Sequence, residues 1–394
     1  MSAGAAPAAA TREFRISVGG PLPPAGREYL EAALGRSYAV RRLGWSGDDL
    51  DLQLAEPAAI EPVRAQVERL ASLARTLAPD VRYLRRGAGR HGADPTPALR
   101  ARGDVAPVAP GMVALAGPFL ALTERIDRYW RRLARERAAR EEEYPALWPV
   151  DLCRRIDYLR EFPQQVLLAA PVRPSFAGRD AFARDHARSR QFSAIDAGAH
   201  LAASTFGLQG AVCDCCYWLR RDTTGQPDRW YTTAGRVFRN EAAPDSGLDR
   251  LTSFRVRDLM AVGSEEFVRE AHAQMLADAA RFLARLDLTA AIETAGDPFF
   301  ANDSVLKNAF QASAQLKYEL KATVPHTGRD LAIGSVNLHQ DFFGRSLGIR
   351  LADGSPAWSA CVGVGFERTA YAICCQHGPD PAGWPGLDAA EDTP

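Results

Sequence analysis

Between residues 165 and 351 the chain keeps returning to short strand-like runs, at 165–170, 211–219, 229–238, 254–262, 318–324 and 347–351. Strands divided by short turns, with the helices gathered elsewhere, build an antiparallel sheet in an α+β domain. Helices are expected at 265–286, with Phe267, Met275 and Phe282 facing inward, and at 367–377. A longer one from Pro118 carries Phe119, Leu122, Ile126, Tyr129, Trp130 and Leu133 on one side. Its arginines read as a solvated face, because Glu141, Glu142 and Glu143 follow at once.

The N-terminal quarter has another organisation. After a small-residue tail, 1–11, strand-like runs at 14–18, 38–43, 50–54 and 81–84 alternate with helices at 24–34 and around 63–77, the second marked by Val63, Val67, Leu70, Leu73 and Leu77. The order β-α-β-β-α-β predicts a small ferredoxin-like α/β domain over 12–86. Residues 87–109 are rich in Arg, Gly and Pro without a period, as a linker is, so the main domain is expected over 110–394. No internal repeat is present.

With 394 residues, 46% of them hydrophobic, the chain can bury a large core. Lys+Arg and Asp+Glu both total 48, which leaves no net field for a general polyanion binder. No apolar run reaches the roughly 20 residues of a membrane helix, and Met1 to Ala10 lacks the charge and apolar stretch of a signal peptide, so a cytoplasmic protein without a membrane partner is expected. Seven cysteines (Cys153, Cys213, Cys215, Cys216, Cys361, Cys374, Cys375) are an odd number that suits a metal or a reactive thiol better than a secreted disulfide framework. Only three lysines occur, Lys307, Lys317 and Lys321.

Two constellations carry chemistry. Val237-Phe238-Arg239-Asn240-Glu241 and Leu251-Thr252-Ser253-Phe254-Arg255-Val256-Arg257-Asp258 flank a Pro/Asp/Gly loop and read as a hairpin with polar strand ends. An arginine on a rigid strand presents a fork that matches phosphate oxygens; Glu241, two residues on, shares its face and can hold a base or amine. Phe254 on the returning strand can stack a purine. The second is Gly363-Val364-Gly365-Phe366-Glu367-Arg368, a strand entering a helix through glycines that permit close ligand approach.

These segments resemble motif 2 and motif 3 of class II aminoacyl-tRNA synthetases, and the seryl branch fits best. Pro145 in EEEYPALWP falls where motif 1 places its dimer-interface proline, and QLKYELKATVP is similar to a seryl-enzyme strand. The resemblance runs from about 115 to 387. It implies a class II catalytic fold, an antiparallel sheet flanked by helices. YLREFPQQ, SVNLHQDFFG and CCQHGPDPAGWP resemble the stand-alone amino acid:carrier-protein ligases, truncated relatives of a zinc-dependent seryl enzyme. The helical tRNA arm of ordinary seryl enzymes has no counterpart before 115, since no two long heptad-patterned helices occur there.

The resemblance implies a homodimeric enzyme that uses ATP with Mg²⁺ to activate a small amino acid, glycine or alanine. It then passes the amino acid to the phosphopantetheine thiol of a carrier protein, without tRNA. Arg239 and Arg368 would clamp the phosphates, Phe254 stack on adenine and Glu241 contact the base, with Ser335 beside ATP and Glu319, Asn337 and His339 toward the amino acid; Lys317 matches by position only. A catalytic zinc would be held by Cys213, Asp258 and Cys361, with a fourth position open to the substrate's amino group. Two departures stand out: Asp258 replaces the family's Glu, and Ala332 stands where seryl enzymes carry an acid, with Asp330 nearby. If 211–219 is a strand, Cys215 shares a face with Cys213 and is an alternative ligand. An atypical seryl-tRNA synthetase and a non-catalytic amino acid sensor remain open alternatives.

Overall fold

Leucines at alternate positions decide how the N-terminal unit closes. Strand β1 (Arg12–Ser17), helix α1 (Pro24–Gly35), strands β2 (Val40–Ser46) and β3 (Asp49–Leu54) and helix α2 (Ile60–Ala74) follow in order, and the strands pair antiparallel as β1-β3-β2. Leu50, Leu52 and Leu54 point from β3 to one face and are buried with Val63, Val67 and Leu70 of α2. The computed structural model describes residues 12–35, 40–54, 60–75, 80–188, 197–240, 247–297, 307, 311 and 314–387, so Leu77 lies outside it.

The fourth strand of the expected ferredoxin-like unit goes elsewhere. Strand β4 (Val81–Arg85) is the edge of the large sheet. It has no buried face to offer the small core, since Val81 is 48% and Leu84 74% exposed. Polar ties hold it where it is: Arg85 pairs with Asp287 at 2.5 Å and Arg82 Nε donates to the Tyr318 hydroxyl at 3.2 Å. Residues 87–109 are no linker either. A helix spans Thr96–Ala101, strands 105–109 and 112–115 pair, and Leu99 and Val105 are buried in the main core. Gly87 and Gly89 serve close packing, because a Cβ there would meet the carbonyl oxygens of Asp287 and Gln376 at 2.1 and 2.5 Å.

The main domain begins with helix α3 (Gly117–Glu136), the short strand β5 (Arg140–Glu141) and helix α4 (Cys213–Leu219). The long hairpin β6 (Arg229–Phe238) and β7 (Ser253–Gly263) follows, then helix α5 (Glu265–Arg285), strands β8 (Ala290–Thr294), β9 (Lys317–Val324), β10 (Arg329–Gln340) and β11 (Trp358–Gly365), and helix α6 (Phe366–His377). The eight-stranded sheet runs β4-β8-β9-β10-β11-β7-β6-β5, antiparallel except for the β5–β6 pair. Helices α3, α5 and α6 cover one face, where Phe119, Ile126, Trp130, Met275, Phe282 and Ile373 meet Leu320, Val336, Val362 and Val364. Buried Arg257 of β7 reaches Asp127 of α3 at 2.5 Å and Glu141 at 3.3 Å. Removing both carboxylates strands the buried Arg257 charge, at about 3–5 kcal/mol.

Three strand expectations do not hold. Residues 213–219 form a helix with Cys213 to Tyr217 all buried, and a run buried on every side carries no period to tell strand from helix. Residues 347–351 are a helix end followed by a two-residue strand, and in 165–170 only Leu168–Ala169 is a strand. Conversely, β10 was not anticipated, because a bulge at Ile333 shifts its buried residues from Leu331 and Ile333 to Val336 and Leu338 and so breaks the alternation.

Candidate active site

The face of the sheet opposite the helices carries the polar side chains. Register aligns them in two rows: Glu319, Ser335, Gly363 and Asp258 across β9, β10, β11 and β7, and two residues along, Lys317, Asn337 and Cys361. Side chains alternate faces along a strand, so both rows look the same way. Asn337 Nδ2 joins them, donating to Ser335 Oγ at 3.1 Å and to Cys361 Sγ at 3.5 Å.

At one end stands Phe254, paired with Val237 in the hairpin and 7% exposed. The guanidinium carbons of Arg239 and Arg368 lie 5.6 and 5.8 Å from its ring centre. Two arginines 129 positions apart therefore meet over one aromatic ring. Backbone carbonyls steady both: Arg239 Nε donates to Gly210 at 3.1 Å and Arg368 Nη1 to Ala332 at 3.5 Å. Glu367 clasps the two motifs, its buried carboxyl accepting the Arg255 backbone N–H at 2.9 Å. Glu241 lies outside the described residues.

At the other end the thiols converge. Helix α4 turns Cys213 toward Cys361, to which it is hydrogen-bonded, and toward Asp258. The bond from Cys213 drives the Cys361 thiol well below its ordinary range, helped against burial by the His339 cation; Cys213 is held well above its own range by that bond and by burial. Burial and the Cys361 charge push Asp258 up. His339 Nε2 is 3.6 Å from Cys361 Sγ and its Nδ1 is 3.1 Å from Ser359 Oγ. Burial opposes the His339 cation, yet the neighbouring thiolate outweighs it and raises the imidazole.

Cys215 is not in this group. Two positions along a helix rotate a side chain by about 200°, and Cys215 faces Trp148 and Cys153 instead. The strand-based alternative ligand is thereby withdrawn. Among the described residues no three His, Cys, Asp or Glu side chains are spaced as a ready metal cage. Cys213 is hydrogen-bonded to Cys361 and to Asp258, and His339 Nε2 is 3.6 Å from Cys361 Sγ, so an ion would enter by replacing these hydrogen bonds. As a donor set, two sulfurs with a carboxylate and an imidazole suit zinc over magnesium.

Sequence reading did not single out Asp214 or Asp297. Asp214 is buried beside the Cys213 thiol at 3.8 Å, and burial pushes its carboxyl up to about 7. An acid inside Cys-Asp-Cys-Cys was the available signal. Asp297 sits before a proline and looks like an ordinary turn residue, yet it binds Lys317 Nζ at 2.5 Å.

The shortened Asp258 is matched by Gly363. A Cβ at 363 would stand 2.5 Å from Asp258 Oδ1, whereas one at 365 would find only the Ile333 carbonyl at 3.7 Å. Gly363→Ala is therefore expected to cost about 1–3 kcal/mol, read from the denaturant midpoint, and Gly365→Ala clearly less. Equal costs would contradict the asymmetry.

Residues 206–377 match the family model of the tRNA synthetase class II core domain (G, H, P, S and T). Amino acid–acyl-carrier-protein ligase 2 of Bradyrhizobium diazoefficiens is 30% identical over 279 residues, 70% of this chain and 81% of that protein. Ligase 1 of the same organism is 35% identical over 155 residues, 39% of this chain and 47% of that protein. The type-2 serine–tRNA ligase of Methanothermobacter thermautotrophicus is 25% identical over 251 residues, 61% of this chain and about half (48%) of that protein. In fold, M. kandleri SerRS, solved with A. aeolicus tRNASec, superposes with a TM-score of 0.69 at 20% identity, covering 95% of this chain and 76% of that one. With motif residues from both ends of the core gathered over one ring, and with a likeness that extends over four fifths of a carrier-protein ligase, the chain belongs to the amino acid–acyl-carrier-protein ligases, enzymes built on the class II synthetase core.

Proposed function

We propose that the protein activates a small amino acid, glycine or alanine, with ATP and Mg²⁺ to the aminoacyl-adenylate and transfers it to the phosphopantetheine thiol of a carrier protein. The observation that carries this reading is the meeting of Arg239 and Arg368 at Phe254, beside a face lined with thiols and carboxylates. Adenine stacks on Phe254, and the two guanidinium forks hold phosphate oxygens. The amino acid carboxylate attacks the α-phosphorus in line and pyrophosphate leaves. Such a step asks the protein mainly for positioning and charge stabilisation. Ser335 borders the nucleotide, and Asn337, His339 and Glu319 line the amino acid side. Cys213, Asp258 and Cys361 would hold zinc, which supplies a Lewis-acid seat for the substrate's amino group.

We take the working unit to be a homodimer joined near Pro145. Leu147, Leu168 and Phe206 support this: they are 39, 57 and 45% exposed on one small three-stranded sheet beside that proline. No described helix is long and apolar enough to cross a membrane, and we place the reaction in the cytoplasm.

A second reading, charging of tRNA, draws on the 95% coverage by M. kandleri SerRS, which must take in most of the N-terminal unit. One experiment separates the two. With ATP and radiolabelled glycine or alanine, label is expected on a phosphopantetheinylated carrier protein and not on total tRNA; serine on tRNA with none on the carrier would reverse the assignment.

A further inference from the structure

Resting on the reading above, the geometry bears on which amino acids the site accepts. The substrate's amino group is assigned to the Cys213–Asp258–Cys361 end, and its carboxylate must point to the nucleotide at Phe254, on β7. The sheet runs β9-β10-β11-β7, so Cys361 of β11 has β7 on one side and β10 with β9 on the other. The remaining substituent on the amino acid Cα is thereby directed across β10 toward β9. The row continues there as Asn337 and then Lys317, about 5 and 10 Å from Cys361 at ordinary strand spacing.

Lys317 is one of only three lysines and is 9% exposed. Its Nζ lies 2.5 Å from Asp297 Oδ1 and 3.6 Å from Glu319 Oε1. Asp297 is itself braced: Gln311 Nε2 donates to Oδ2 at 2.9 Å, and the Asp297 backbone N–H donates to Gln311 Oε1 at 2.9 Å. Burial works to lower the lysine pKa, but Asp297 and Glu319 outweigh it and keep the ammonium charged. A closed ion pair thus stands where the substrate side chain must go.

We infer that the Lys317–Asp297 pair is the specificity wall of the amino acid pocket, admitting the hydrogen atom, methyl or hydroxymethyl of glycine, alanine and serine and rejecting apolar side chains of valine size and larger. A branched apolar group pressed against the pair strips its remaining solvation and returns no hydrogen bond, whereas a small one leaves the wall untouched. Asp297 is a positioning residue in this scheme, acting through Lys317.

The test is a neutral double variant, Lys317→Met with Asp297→Asn, which avoids stranding one charge. In amino-acid-dependent pyrophosphate exchange the ratio of kcat/KM for alanine over valine is expected to fall about tenfold or more, through the KM for valine, with the KM for ATP unchanged. An unchanged ratio overturns the inference. Should the double variant not fold, the wild-type protein decides. Lysine labelled with ¹⁵N at Nζ gives three ammonium signals, assigned with Lys307→Arg and Lys321→Arg. The Lys317 signal is expected to move when alanine is added; if it does not move for any amino acid, the wall is not in the pocket. Failure of the wild type to exchange pyrophosphate with any amino acid, while that signal still responds, would instead sink the proposed function and leave the wall standing.

Discussion

Replacing Arg239 with alanine lowers amino-acid-dependent pyrophosphate exchange by at least about a thousandfold, with the fold intact. The two magnitudes separate cleanly. Arg239 is partly exposed at the end of β6 and donates through Nε to one carbonyl, that of Gly210. Losing that bond costs about 1 kcal/mol of stability. A thousandfold rate loss is about 4 kcal/mol of transition-state stabilisation, which only a group on the transferring phosphorus can supply. Arg239→Lys keeps the charge and loses the fork, and is expected to restore little of the rate. Arg368→Ala should fall to a similar level. The double variant should be scarcely worse than either single, because the two groups act on one bent nucleotide. Circular dichroism and a denaturation midpoint within about 1 kcal/mol of wild type make the kinetic comparison meaningful. Exchange within tenfold of wild type for Arg239→Ala would remove the nucleotide from this ring.

What the sequence made legible follows the range of the interactions. The hairpin of β6 and β7 could be read because Arg229 to Phe238 is rich in aromatic and β-branched residues, and the strand-to-helix junction because Gly363 and Gly365 mark it. Both motifs are local, and so is the period of α3. Helix α4 was unreadable as a helix because every one of its first five residues is buried. Strand β10 hid for another reason: a bulge at Ile333 changes which positions are buried, from Leu331 and Ile333 to Val336 and Leu338, and so breaks the period that marks a strand. The glycines at 87 and 89 looked like slack chain, and only the backbone of Asp287 and Gln376 against them reveals close packing. Contacts between distant positions carried no local trace. Nothing near Asp297 announces Lys317, and nothing near Val81 says that it pairs in the large sheet with Glu293 rather than in the small one.

Cys361→Ser is expected to abolish zinc retention. Protein prepared with zinc present should hold about one ion per chain by elemental analysis, and the variant less than about a tenth of that. The cysteine sits at the centre of the cluster: Cys213 is hydrogen-bonded to it, His339 Nε2 stands 3.6 Å away and Asn337 3.5 Å away. Its thiol is the one driven low, by the bond from Cys213 and by His339, and serine offers a hydroxyl that stays protonated. Amino-acid-dependent exchange should drop with the metal, while binding of ATP, built on Phe254 and the two arginines, should change little. Cys213→Ser should behave alike and Cys215→Ser should retain its zinc, because only the first of these two side chains faces Cys361. Asp258→Asn should weaken retention further than Asp258→Glu, which keeps the charge. If Cys215→Ser loses the ion and Cys213→Ser keeps it, the ligand set lies on the other side of α4, and the amino group has been seated at the wrong end of the site.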